Sequence, residues 1–90
     1  MNKKVCVVGA GYWGKNHIRT LNKLGSLYGI VDSNKETLSK YLNLYPKIKV
    51  YSNLEDSLVD NYLGYTIATP ADTHFEIAKT LILSKKHVLI

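Results

Sequence analysis

The sequence predicts an open, doubly wound parallel α/β sheet. Two observations carry that expectation. Short β-rich apolar runs alternate with stretches of helical period along all 90 residues. The connections are short, and strands joined through helices run parallel with right-handed crossovers. A third observation, a glycine-rich turn between the first run and the first helical stretch, suits the same architecture. The expected strand order is 3-2-1-4-5.

Each element follows from its residues. Lys4–Val8 is a short apolar run that suits a buried parallel strand. Trp13 to Leu24 follows a helical period, with Gly14, Ile18 and Leu21 on one face and His17 and Leu24 beside it. Gly25 stands where a C-terminal cap glycine belongs. Leu27–Asp32 reads as the second strand. Ser33 and Glu36 have capping-box spacing before a helix whose apolar stripe is Leu38, Tyr41, Leu42 and Tyr45. Pro46 ends it. Lys47–Tyr51 alternates, with Ile48 and Val50 on one side, as a third strand does. Ser52 and Glu55 repeat the capping spacing before a short helix carrying Leu54, Leu58 and Val59. Tyr65–Thr69 is the fourth strand, broken by Pro70. Thr73 and Glu76 make a third capping box, and Ile77, Ala78, Leu81 and Ile82 form the next stripe. Lys85 and Lys86 suit that helix's C-terminus. His87–Ile90 begins a fifth strand and is expected to be an exposed edge.

Composition narrows the function classes. The chain is 46% hydrophobic and 21% charged, which fits a globular domain and excludes a disordered chain or a coiled coil. No apolar run approaches the ~20 residues of a membrane span. The opening residues are too briefly apolar for a signal peptide, so a cytoplasmic location is expected. One cysteine, Cys6, makes no internal disulfide and reads as a small core residue. Lysine and arginine outnumber acidic residues 12 to 7, for a net charge of +5. The cations are scattered, and Lys15, Arg19 and Lys23 read as one solvated helix face rather than a nucleic-acid stripe. A mild positive field favours an anionic ligand. His17, His74, His87 and Cys6 have no metal-ligand spacing.

Gly9-Ala10-Gly11-Tyr12-Trp13-Gly14 carries the chemistry. The pattern G-x-G-x-x-G is weak alone. Here it leaves a strand and opens a helix, as the dinucleotide-binding fingerprint requires. Gly9 permits the turn, Gly11 lets a pyrophosphate approach the backbone, and Gly14 lets the helix pack closely. Unpaired N–H groups at the helix start, with its dipole, attract an anion. Asp32 ends the second strand 18 residues later, where an acid receives the adenosine ribose hydroxyls. Its charge repels a 2′-phosphate and no arginine follows it, so NAD is expected over NADP. Ala68-Thr69-Pro70 leaves the fourth strand across the crevice from the loop. His74 falls in the next helix's first turn, facing either the crevice or solvent. Two placements stay open for Trp13: over the cofactor, or against the edge of the first helix. Most of the seven tyrosines fall on core stripes or in strands.

The segments Val7–His17, Val31-Asp32 and Ala68-Thr69-Pro70 with His74 together resemble the glucose-fructose oxidoreductase/inositol dehydrogenase/MocA family, along essentially the whole chain. The loop Gly11-Tyr12-Trp13-Gly14-Lys15-Asn16 is similar to members acting on nucleotide-linked sugars. The resemblance implies a Rossmann nucleotide-binding domain, 1–90, that is the N-terminal part of a longer, homo-oligomeric two-domain dehydrogenase. It implies hydride transfer between a sugar or sugar-nucleotide carbon and a nicotinamide. By position, Gly9, Gly11, Tyr12, Trp13 and Gly14 would hold the pyrophosphate side, Asp32 the ribose, and Ala68, Thr69, Pro70 and His74 the nicotinamide side. The family's Glu-Lys-Pro motif would begin just after Ile90, and its histidine acid/base lies in the second domain. No catalytic residue is therefore expected within these residues. Two other readings use the same features: a stand-alone nucleotide-sensing module, and a methyltransferase binding S-adenosylmethionine, against which Thr69-Pro70 and His74 speak.

Overall fold

The structure is a computed structural model. It describes residues 4–11, 14–69, 71–84 and 86–89, and for Ala71, Asp72, Thr73, Phe75, His87 and Leu89 the backbone alone. Strands and helices alternate: β1 Val5–Val8, α1 Gly14–Lys23, β2 Leu27–Val31, α2 Lys35–Leu44, β3 Lys49–Tyr51, α3 Leu54–Ser57, β4 Gly64–Ile67, α4 Ala71–Leu83 and β5 His87–Leu89. All paired strands are parallel, in the order β3-β2-β1-β4-β5. Strand β1 therefore lies inside the sheet, bonded to β2 on one side and β4 on the other.

Alternation in β1 splits the core into two layers, as the two-residue period of a strand requires. Val7 faces α1 and α2, where it packs with Ile18, Ile30, Leu38, Tyr41 and Ile48. Cys6 and Val8 face α3 and α4, with Val31, Tyr62, Tyr65, Ile67 and Leu81. Ile18, Ile30 and Leu81 are fully buried, each worth roughly 1.5–3 kcal/mol relative to exposure. Burial pushes the Cys6 thiol far above its ordinary range, so it stays protonated and inert.

Strand β2 departs from simple alternation. Val5 pairs with Leu27 but Cys6 pairs with Gly29, so β2 carries one extra residue at Tyr28. Leu27 and Ile30, three apart, consequently share the α1–α2 layer, and Tyr28 and Val31 share the other.

Helix starts differ from the sequence expectation in a consistent way. Asn34, not Ser33, caps α2, its Oδ1 accepting from the Thr37 N–H at 3.0 Å. Asn53, not Ser52, caps α3, accepting from the Asp56 N–H at 2.9 Å. Both sites read Ser-Asn, and asparagine caps at least as well as serine, so the cap falls one residue later. Helix α4 has begun by Ala71, which leaves Thr73 inside its first turn rather than at its cap. The apolar stripes are also narrower than expected: Leu42 and Ile82 are exposed, because Leu38 with Tyr41, and Ile77 with Leu81, already fill the contact with the sheet, and Val59 is exposed beyond the end of α3.

Buried tyrosine hydroxyls are paired. Tyr65 donates to the Ser57 carbonyl at 3.1 Å, and Ser57 Oγ donates to the Leu54 carbonyl at 2.6 Å. Tyr51 donates to Asp60 Oδ2 at 2.6 Å and lies 2.8 Å from the Tyr62 hydroxyl. Among the described residues, no buried side-chain nitrogen or oxygen lacks a partner.

Two predictions come from this packing. Burial is the first cause that raises the Tyr41, Tyr51, Tyr62 and Tyr65 hydroxyls above their ordinary 10.0, with Tyr62 pushed up to about 12. An unfolded chain releases these protons first, so their contribution is complete below pH 10 and is lost as pH rises through the folded values. The melting temperature followed by circular dichroism should fall as pH rises from about 10 towards 12; a flat profile would contradict the tyrosine assignment. The second concerns α1, which lies against the glycine turn at Gly14. A β-carbon there would overlap the Gly9 carbonyl oxygen and rest 3.6 Å from Ala68 Cβ. Gly14→Ala should cost about 1–3 kcal/mol in chemical denaturation, because backbone must shift to admit it; an unchanged midpoint would show that α1 has room to move.

Candidate functional site

The site forms where three strands end together. Val8 pairs with Val31 on one side and Ile67 on the other. The next residues, Gly9, Asp32 and Ala68, therefore leave the sheet side by side. Their backbones stay joined: the Gly9 N–H donates to the Val31 carbonyl at 2.7 Å, and the Ala68 N–H to the Val8 carbonyl at 2.8 Å. Gly9 adopts φ +97°, and a β-carbon there would lie 3.0 Å from the Ala68 carbonyl and 2.9 Å from Thr69 Cγ2. Both the turn and the close approach thus demand glycine.

Beyond Gly9 the space opens. Nothing lies within 4 Å of a β-carbon built on Gly11. Gly11 borders a cleft of about 670 Å³, walled by Val8, Gly9, Val31, Asp32, Ala68 and Thr69, with Ser33, Ser52, Leu54 and Ile77 completing it. A second cleft, of about 530 Å³, lies at the amino ends of β2 and β3, among Leu27, Leu44, Tyr45 and Ile48. It is bordered by the C-terminal turns of α1 at Gly25 and of α2 at Leu44–Tyr45 rather than by a helix N-terminus, so it lacks the helix end that favours an anion in the first cleft.

Helix α1 begins at the first cleft. Its first turn, Gly14-Lys15-Asn16-His17, contains no acid, whereas α2 opens with Glu36 and α3 with Glu55 and Asp56. The positive end of α1 is therefore not offset by a carboxylate of its own first turn, which favours an incoming anion. Asp32 stands half-buried on the cleft wall. Its Oδ2 accepts the Ala10 N–H at 2.8 Å, and its Oδ1 accepts the Asn34 N–H at 2.8 Å. A carboxylate has about four lone-pair sites, so acceptor capacity remains for hydroxyl groups in the cleft.

The sequence-derived residues divide into three groups. Gly9, Gly11, Asp32, Ala68 and Thr69 meet at the cleft. Gly14 and His74 stand behind its walls: Gly14 packs on Gly9, and His74 Nε2 donates to the Thr69 carbonyl. The nitrogen facing a carbonyl must carry a proton, which fixes the tautomer of a neutral His74. Tyr12, Trp13 and Pro70 lie outside the described residues. Sequence reading missed Ser33 and Ser52, which line the cleft. The signal was the Ser-Asn pair repeated after β2 and β3: the asparagine caps the helix and the serine before it is left at the cleft.

This arrangement fits a dinucleotide: an open backbone cradle at a helix N-terminus, an acid beside it, and a small-residue wall opposite. Among the described residues there is no cluster of histidine, cysteine, aspartate or glutamate that would hold a metal ion, and no helix is long and apolar enough to cross a membrane.

Comparisons with known proteins agree. The structure of the WlbA dehydrogenase from Bordetella pertussis, in complex with NADH and UDP-GlcNAcA, matches with a TM-score of 0.88 at 28% identity. The match covers 97% of this chain and 27% of that one. GenD2 from gentamicin A biosynthesis, in complex with NAD, matches with a TM-score of 0.88 at 27% identity, over 97% of this chain and 26% of that one. UDP-N-acetylglucosamine 3-dehydrogenase GnnA from Acidithiobacillus ferrooxidans shares the fold, with a TM-score of 0.88 at 23% identity, over 100% of this chain and 28% of that one. The chain thus spans about a quarter of the length of these structures. No curated protein sequence matches it. The profile of the oxidoreductase family GFO_IDH_MocA, described as its NAD-binding Rossmann fold, matches residues 3–90. With that match and the cleft's geometry, the chain belongs to the Gfo/Idh/MocA oxidoreductase family, of which it is the NAD-binding domain.

Proposed function

We propose that this chain is the N-terminal, cofactor-holding part of a two-domain dehydrogenase acting on a sugar nucleotide. The observation that carries the proposal is the meeting of the Gly9–Gly11 turn with Asp32 and Ala68-Thr69 in one cleft. The substrate class is supported by one related structure, the WlbA dehydrogenase, named in complex with NADH and UDP-GlcNAcA.

When bound, the nicotinamide supplies a hydride acceptor or donor. This chain's residues bind and orient it. Gly9, Gly11, Tyr12, Trp13 and Gly14 form the pyrophosphate side, using the α1 N-terminus in place of a cationic side chain. Asp32 receives the adenosine ribose hydroxyls and disfavours a 2′-phosphate through like-charge repulsion. Ala68, Thr69 and Pro70 form the nicotinamide wall, and His74 holds that wall through the Thr69 carbonyl. A lysine or histidine outside these residues takes the hydroxyl proton, and the oligomer interface belongs to the second domain.

Calorimetric titration of the chain tests the cofactor assignments. NADH should bind at least tenfold more tightly than NADPH, a difference of about 1.4 kcal/mol. S-adenosylmethionine should not bind. Asp32→Ala should weaken NADH about tenfold and abolish the preference over NADPH. Absence of binding at millimolar NADH would sink the cofactor role, and unchanged affinities in Asp32→Ala would sink the ribose role. For the substrate class, the same titration with a UDP-sugar added to the full-length enzyme should show ternary binding, and none would remove it.

A further inference from the structure

We propose that Asp32 has a second duty, separate from the ribose: it is the positioning residue that holds the glycine turn in its ligand-binding shape before any cofactor arrives. The inference rests on the NAD reading for its ligand but not for its geometry. Asp32 Oδ2 accepts the N–H of Ala10, the residue between Gly9 and Gly11, across 22 positions of sequence. Oδ1 accepts the N–H of Asn34, which in turn caps α2. One carboxylate therefore ties the turn after β1 to the start of α2.

The chemistry of the side chain makes this arrangement selective. Each of the two N–H groups needs an acceptor, and each carboxylate oxygen supplies one. Asparagine offers one acceptor oxygen and an NH2 that would face the second N–H. Serine can keep the short turn to residue i+2, the bond Asn34 makes, but does not reach Ala10. Neither side chain satisfies both bonds. The Ala10 bond also differs from its neighbour: Gly9 is held by backbone alone, through the Val31 carbonyl at 2.7 Å, so a change at Asp32 leaves that contact in place.

The ribose and positioning roles separate with a cofactor that has no ribose hydroxyls to offer. The 2′,3′-dideoxyadenosine analogue of NADH keeps the pyrophosphate and loses the hydroxyl partners of Asp32. If Asp32 served the ribose alone, substituting it would not change affinity for this analogue. Because it also shapes the turn, Asp32→Ser, which keeps the Asn34 bond but does not reach Ala10, should bind the analogue about tenfold more weakly than the parent chain does, the size expected for one lost charge-assisted hydrogen bond. Hydrogen exchange on the ligand-free chain gives the second measurement. In Asp32→Ser the Ala10 amide should lose its protection while the Gly9 amide keeps it. Asp32→Ala repeats both measurements if the serine variant does not fold, and circular dichroism confirms the fold of whichever is used. Equal affinity of parent and variant for the analogue, or Ala10 protection unchanged by the substitution, would overturn the proposal. If the parent fails to bind NADH, the NAD reading falls and the exchange measurement still decides the positioning role.

Discussion

The closeness of the Gly9 and Ala68 backbones is the constraint on which the cofactor end depends. A side chain at Gly9 would meet the Ala68 carbonyl at 3.0 Å, so the first turn and the exit of β4 can stay together only around a glycine. That contact exists because β1 is paired on both sides, which brings Val8, Val31 and Ile67 level before their chains diverge. Gly14 adds a second such contact by seating α1 on the Gly9 carbonyl. The cleft is thus a product of backbone packing first and of side-chain chemistry second. The rigid sheet fixes where the α1 N-terminus points, and the electrostatics of that helix end follow.

The parts of this structure that rest on periodicity were legible in the sequence. Val5–Val8, Leu27–Val31 and Gly64–Ile67 are apolar because they are covered on both faces, and Ile18, Leu38 and Leu81 keep helical spacing because each meets the sheet. The glycine turn and Asp32 were legible because few residues tolerate those positions. Local competition hid the rest. Ser33 and Asn34 can both cap a helix, and only the Asp32–Asn34 bond reveals which residue is already used in the turn. The extra residue at Tyr28 breaks the two-residue period without changing composition, so no pattern announces it. The bond from His74 to the Thr69 carbonyl joins a side chain to backbone five positions earlier, and nothing in residue type encodes that choice over the open crevice.

The two layers of the core solve different problems. The α1–α2 layer is almost wholly aliphatic, with Tyr41 at its border, and derives its stability from burial alone. The α3–α4 layer includes Tyr62 and Tyr65 and must satisfy their hydroxyls as well as bury their rings. The Ser57 carbonyl accepts from Tyr65 and the Tyr28 carbonyl from Tyr62, while the neighbouring Tyr51 donates to Asp60. Asp60 also pairs with Lys49 at 3.1 Å, and its bond from Tyr51 holds its carboxyl below the usual range.

The added residue in β2 separates the strand into two stretches with different tolerance to change of length. Before Gly29, the ladder already absorbs a residue, so a codon gained or lost there alters the pairing of Val5 and leaves Asp32 opposite the glycine turn. Between Gly29 and Asp32, pairing with β1 is regular, and the same event would move the acid one step along the sheet and turn it to the other face. Insertions and deletions in this gene therefore meet a sharp boundary within one short strand, with drift permitted on the near side and cofactor binding lost on the far side.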